Sequence, residues 1–157
     1  TWSQGLLDAA FIEGVGSLTR EQMSIFVGSV GEYAVQCVLG RAVGSCGIDS
    51  ELRERGDFGV DMKHYGMSIQ VKTRKKPRTT SLIKVGTNRA LVACFAEWTG
   101  GAVVDVLGWE WTSAINAMQQ EVSVFGEWVN IVVHDIDLLP MSRLVQELET
   151  WKALQCR

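Results

Sequence analysis

Asp61, Gln70 and Lys72 fall in one short stretch and could do chemistry together. A carboxylate and an amide oxygen are hard ligands that suit Mg2+, and Mn2+ as well. A lysine beside them can support charge developing on a phosphate or a hydroxide. Metal-assisted hydrolysis of a phosphodiester needs little more than such a set. The cation polarises the phosphate and makes bound water a better nucleophile. Val71, between Gln70 and Lys72, adds a backbone carbonyl as a further oxygen.

For these groups to meet, 56–73 must form a hairpin. Phe58, Val60 and Met62 alternate with Asp57, Gly59 and Asp61, and Ile69, Val71 and Thr73 alternate with Gln70, Lys72 and Arg74. That is a period of two, with one apolar and one polar face. Tyr65-Gly66 is the evident turn. With those two residues as the loop, His64 faces Met67 and Asp61 faces Gln70. With Gly66-Met67 as the loop, Asp61 faces Lys72 instead. Any even loop here puts Asp61, Gln70 and Lys72 on one face, and an odd one sends Asp61 to the apolar side. Asp57 shares the parity of Asp61 and is the rival metal ligand. In the two-residue hairpin it lies opposite Arg74, farther from Gln70, which favours Asp61.

A helix must precede the hairpin. Thr19 and Gln22 have the spacing of an N-cap pair. Met23, Phe26, Val27, Val30, Ala34, Cys37 and Val38 recur at helical spacing, and Gly44 and Gly47 can end the helix. Glu32 interrupts this largely apolar run beside Gly31, with Gln36 one turn on. Gly28 and Gly31 would let the helix approach a sheet closely. Glu32 could then reach the polar face of the hairpin and bind the metal directly or through water.

The remaining elements read as a short strand at 81–85 and buried strands at 90–98 and 102–108, joined by Thr99-Gly100-Gly101. A helix at 112–120, a strand at 130–134 and an amphipathic helix at 140–154, with Pro140 in its first turn, follow. The order predicts an α/β fold in one domain, 1–157, with helices against a mixed sheet.

Composition sets the limits. A length of 157 residues, 46% hydrophobic and 21% charged, suits one domain with a real core. No apolar run reaches the roughly 20 residues of a bilayer span. The stretch 1–16 lacks a basic start followed by an apolar block, so no signal peptide and no membrane partner are expected. Cys37, Cys46, Cys94 and Cys156 have no metal-site spacing, and reduced thiols in a cytoplasmic protein are expected. The net charge is −3, yet 62–96 holds no acid and eight of the fifteen Lys and Arg residues. Such asymmetry is the footprint of a polyanion-binding face. Arg74, Lys75, Lys76 and Arg78 are the cations expected to hold phosphates. His64 reads as a turn or packing residue, and His134, with Asp135 and Asp137, as a strand end. Trp98, Trp109, Trp111, Trp128 and Trp151 read as core or interface residues.

Gly56-Asp57-Phe58-Gly59-Val60-Asp61 followed by Ile69-Gln70-Val71-Lys72 resembles the core motif of the PD-(D/E)xK nuclease superfamily. It looks most like the branch with Gln in place of the second acid, as in Mrr-type restriction enzymes and some intron-encoded homing endonucleases. Those proteins share a helix carrying a Glu, then a hairpin carrying Asp and (D/E/Q)-x-K. The match covers 31–74, and the rest agrees only in element order. The resemblance implies a restriction-endonuclease-like mixed β-sheet flanked by helices and a magnesium-dependent DNA endonuclease. Asp61, Gln70 and the Val71 carbonyl would bind the metal, Lys72 would stabilise charge and orient water, and Glu32 would assist. A homodimer or higher oligomer is implied, since cutting two strands requires two sites. The departure is Gln70, which brings no charge and holds a cation less strongly. A nucleic-acid-binding module that keeps the fold without cleavage is therefore the alternative. A third reading is a small-ligand protein whose basic loop binds an acidic partner.

Overall fold

A reciprocal cap opens the first helix. Thr19 Oγ1 accepts the Gln22 N–H at 3.2 Å, and Gln22 Oε1 accepts the Thr19 N–H at 3.0 Å, which satisfies donors that the first turn cannot pair internally. The computed structural model describes residues 19–43, 47–48, 60–86, 88–123 and 126–155. Helix α1 (Arg20–Val43) runs from that cap. By length and composition, Arg20–Gly40 is enough to cross a membrane, which a search for unbroken apolar runs misses because Glu32 interrupts it. In the fold, Val27, Val30, Val35 and Leu39 of this helix are buried against protein.

A mixed sheet has the order β1-β2-β3-β5-β6, built from β1 (Gly47–Ile48), β2 (Met62–His64), β3 (Met67–Arg74), β5 (Val92–Glu97) and β6 (Asp105–Trp111). β3 and β5 run parallel, and the other neighbours are antiparallel. A parallel pair requires a crossover. Here the crossover is the basic loop after β3 and the strand β4 (Thr80–Lys84), which belongs to a second sheet of order β4-β8-β7 with β7 (Gln120–Val122) and β8 (Val129–His134). The single turn α2 (Thr112–Ile115), a 3-10 turn at Asp135–Asp137 and helix α3 (Met141–Gln155) complete the described elements.

Strand alternation decides what each face of β3 meets. Met67, Ile69 and Val71 join Val35 and Leu39 of α1 and Leu144 and Leu148 of α3 in one core. Gln70 and Lys72 take the other face, in register with Ala93 and Phe95 of β5. Those two pack on Ile83, Ile131 and Val133 of the second sheet. The mixed sheet therefore lies between helices and a three-stranded sheet. This α/β arrangement agrees with the sequence reading at that level.

Two local expectations differ from the structure. The strand expected at 102–108 is shifted to Asp105–Trp111, because Gly108 bulges instead of ending it. Its φ is 148°, and a Cβ there would meet the Leu139 carbonyl oxygen at 2.6 Å. The glycine lets 138–139 pass close enough for Trp109 and Leu139 to exchange backbone hydrogen bonds of 3.0 and 2.8 Å. The helix expected at 112–120 is only α2, and Gln120–Val122 pairs instead with β8.

Candidate active site

Tyr65 (φ 49°) and Gly66 (φ 83°) form the hairpin turn, and two left-handed central residues match the twist of the flanking strands. The register is the one expected for this loop, with His64 opposite Met67 and Met62 opposite Ile69. Regular pairing stops at Met62. The Asp61 N–H donates to the Ile69 carbonyl at 2.9 Å, and Asp61 Oδ2 accepts the Val71 N–H at 2.6 Å. The carboxylate takes the position a neighbouring strand's carbonyl would occupy. N–H and C=O of one strand residue point the same way, so the Val71 carbonyl also lies on the Asp61 side. Gln70 and Lys72 share a face as expected, while Asp61 approaches β3 from its edge.

Gln70 is 4% exposed, and its Oε1 has no hydrogen-bond partner. Leaving a buried acceptor unpaired costs about 1–3 kcal/mol. A bound cation would remove that cost, so the orphaned oxygen fits a metal ligand. Asp61 adds a carboxylate, whose two oxygens offer about four acceptor sites. No group of three or more His, Cys, Asp or Glu side chains suited to a metal occurs among the described residues. A cation here would rely on one carboxylate plus amide and carbonyl oxygens.

Glu32 follows the point where α1 and β3 come closest. A Cβ on Gly31 would lie 1.7 Å from Thr73 Oγ1, whereas one on Gly28 would meet nothing within 4 Å. Only Gly31 is needed for the close approach. The helix packs on the apolar face of β3, opposite the side chains of Gln70 and Lys72. Half-buried Glu32 is thus offered from the other side of the strand, not on the polar face as the sequence suggested. Asp57 lies outside the described residues.

Lys72 leads into a cavity of about 360 Å³ lined also by Arg74, Lys75, Lys76, Arg78, Ser81 and Leu82. No acid is among its described lining residues. Arg74 is differently placed from its companions. Its Nε donates to Glu97 Oε1 at 2.7 Å, its Nη1 and Nη2 donate to Asp135 Oδ1 and Oδ2 at 2.8 Å each, and Nη1 reaches the Thr80 carbonyl at 3.2 Å. The Asp135 bonds above all, and then those of Glu97, raise the guanidinium above its ordinary pKa against the opposing effect of burial. Bidentate geometry of this kind is strong, so Arg74 builds the wall where the sequence suggested a phosphate contact. Glu97 also accepts the Arg78 N–H at 3.3 Å, and the Thr79 carbonyl accepts the Asp135 N–H at 2.9 Å. The loop is pinned at its ends, with Lys75, Lys76 and Arg78 exposed between them.

The clasp residues Glu97 and Asp135 have no sequence signal beyond acidity at the ends of two strands. His134 is exposed at the end of β8, as expected. His64 is 3% exposed, stacks near Tyr65 with ring centroids 4.5 Å apart, and has no partner for Nε2. The Cys94 thiol is pushed far above its ordinary range by burial and then by the Asp61 charge, which makes it an inert core group. Trp109 is buried and its Nε1 donates to the Pro140 carbonyl at 3.0 Å, while Trp128 is 41% exposed. Comparison with protein-family profiles, with curated proteins and with solved structures finds no match to this chain, so the residues and their geometry alone carry a functional reading.

Proposed function

We propose that the chain is a magnesium-dependent DNA endonuclease with a restriction-endonuclease-like fold. The observation that carries the reading is the buried, unpartnered amide oxygen of Gln70, a residue on the same face of β3 as Lys72 and one before Val71, whose N–H Asp61 accepts. The element order supports it: a helix with Glu32, then a hairpin with Asp61 and Gln70-Val71-Lys72.

Asp61, Gln70 Oε1 and the Val71 carbonyl would hold Mg2+, with Mn2+ also suited to oxygen ligands. When bound, the cation polarises the scissile phosphate and lowers the pKa of a coordinated water. Lys72 donates to a phosphate oxygen or to the attacking water and offsets the charge that builds up in the transition state. Glu32, on the other side of the strand, orients water or contributes an oxygen. Lys75, Lys76 and Arg78 hold flanking phosphates and lead the backbone toward Lys72. Two copies of the chain supply the two sites for a double-strand break.

Supercoiled plasmid incubated with the protein in Mg2+ should be nicked or linearised, and EDTA should stop the reaction. Lys72→Ala should lower the rate by about 10²-fold or more, the usual loss when a transition-state donor is removed, while DNA binding in Ca2+ persists. A wild-type rate in Lys72→Ala would sink the mechanism. A second reading, a DNA-binding module without cleavage, is favoured by the shortage of acids, since Asp61 is joined only by Glu32, whose helix packs on the other side of the strand. Binding without nicking in Mg2+ and Mn2+ would select it.

A further inference from the structure

A second cavity, of about 240 Å³, lies beside the basic cleft. Met23 and Val27 of α1, Trp98 after β5, and Thr99 and Gly100 form its wall, and Lys75 lines both cavities. The Trp98 indole is held in place. Its Nε1 donates to the Gly101 carbonyl at 2.7 Å, and Phe26 meets the ring edge-on with centroids 5.5 Å apart. The pocket is thus a preformed, mainly apolar slot with a cation on its rim. Its volume falls below the roughly 300 Å³ at which pockets for drug-sized ligands begin, and suits one planar ring system.

A planar apolar group joined to an anion describes a nucleotide. With a phosphate in the cleft at Lys75, the attached base can enter the slot. A paired base cannot do so, because it is stacked inside the duplex and must first be extruded. An unpaired base is already available; with Trp98 6% and Val27 3% exposed, the slot offers it a narrow apolar mouth and no open aromatic face. We propose that the Met23–Trp98 slot binds an unpaired base of the strand whose phosphates lie in the basic cleft, so that DNA with single-stranded segments is the preferred substrate class. This rests on the reading that the cleft holds DNA backbone.

The test uses the intact chain in Ca2+ and fluorescence anisotropy with three labelled DNAs. One is a plain duplex, the second is a forked duplex with unpaired thymine arms, and the third is the same fork with abasic arms. The two forks carry the same phosphates and differ only in bases. Wild type should bind the thymine fork about tenfold more tightly than the abasic fork, a difference of about 1.4 kcal/mol. Met23→Trp fills the slot without changing charge. It should bring the two forks to equal affinity and leave duplex binding unchanged. Equal affinity of wild type for both forks overturns this inference and leaves the nuclease reading standing. A thymine preference that survives in Met23→Trp overturns the assignment to this slot. Failure to bind any of the three DNAs overturns both readings.

Discussion

Gln70 and Asp61 can be separated by what each loses when replaced. Gln70→Leu removes a buried acceptor that lacks a partner, and replacing such a group by an apolar one of similar size is neutral or stabilising. Without metal the variant should be as stable as wild type or more stable, by up to about 2 kcal/mol. It should also lose any stabilisation that wild type gains from Mg2+. Thermal melts with Mg2+ and with EDTA decide this. Metal stabilisation that persists in Gln70→Leu would remove Gln70 from the ligand set. Asp61→Asn keeps an acceptor for the Val71 N–H but drops the charge, so it should weaken Mg2+ binding more than Asp57→Asn. That Gln70 and Lys72 share a face was legible in the sequence because strand parity is local; the edge-on approach of Asp61 to the Val71 N–H was not. The use of Arg74 was not legible either, since Asp135 reaches it from just after β8, 61 residues on in the chain, and no pattern around Arg74 announces that partner.

Helix α1 and the β2–β3 hairpin were readable because each rests on spacing within one segment. The second sheet was not, since β4 finds β8 across the whole β5–β6 hairpin. At the helix–sheet contact, two glycines that look alike in sequence should behave in opposite ways. Gly28→Ala should stabilise the chain by about 0.5–1 kcal/mol through helix propensity, since a Cβ there meets nothing within 4 Å. Gly31→Ala should destabilise by about 1–3 kcal/mol, because its Cβ would overlap Thr73 Oγ1. Adding Thr73→Ala should restore only part of that stability, because the Thr73 Cβ would still lie 2.9 Å away. Urea unfolding of the three variants checks both signs, and a stable Gly31→Ala would refute the close approach. The crossover loop makes its own prediction. Neutralising Lys75, Lys76 and Arg78, while sparing Arg74, should reduce the salt slope of duplex binding by about 0.9 for each phosphate that is no longer neutralised. An unchanged slope would mean that these cations point away from DNA.

The whole molecule should lose stability toward acid through His64. Burial first, and then the nearby charge of Lys152, lowers its pKa from the ordinary 6.5. Between 6.5 and the lowered folded value, the unfolded chain binds the proton and the folded one does not. Stability is therefore full above that window, falls as pH drops through it, and changes with a slope of at most about 1.4 kcal/mol per pH unit. His64→Leu should flatten this part of the profile, and denaturant melts from about pH 8 to about pH 4.5, spanning the ordinary His pKa, would detect it. An unaltered profile would assign the acid sensitivity elsewhere. The placement of β4 also has a consequence in time. Its partner strand is β8, and the Arg74 clasp closes only when Asp135 arrives. A nascent chain that has emerged through β6 carries every cation of the cleft but lacks the Asp135 that anchors Arg74 and the β8 that pairs with β4. Closing contacts over long separations is slow. Pulsed hydrogen exchange during refolding should therefore protect the β2–β3 hairpin first, and β4 only together with β8. The proposed grip on phosphate would be completed late in the birth of each molecule, after the candidate metal ligands have already found one another.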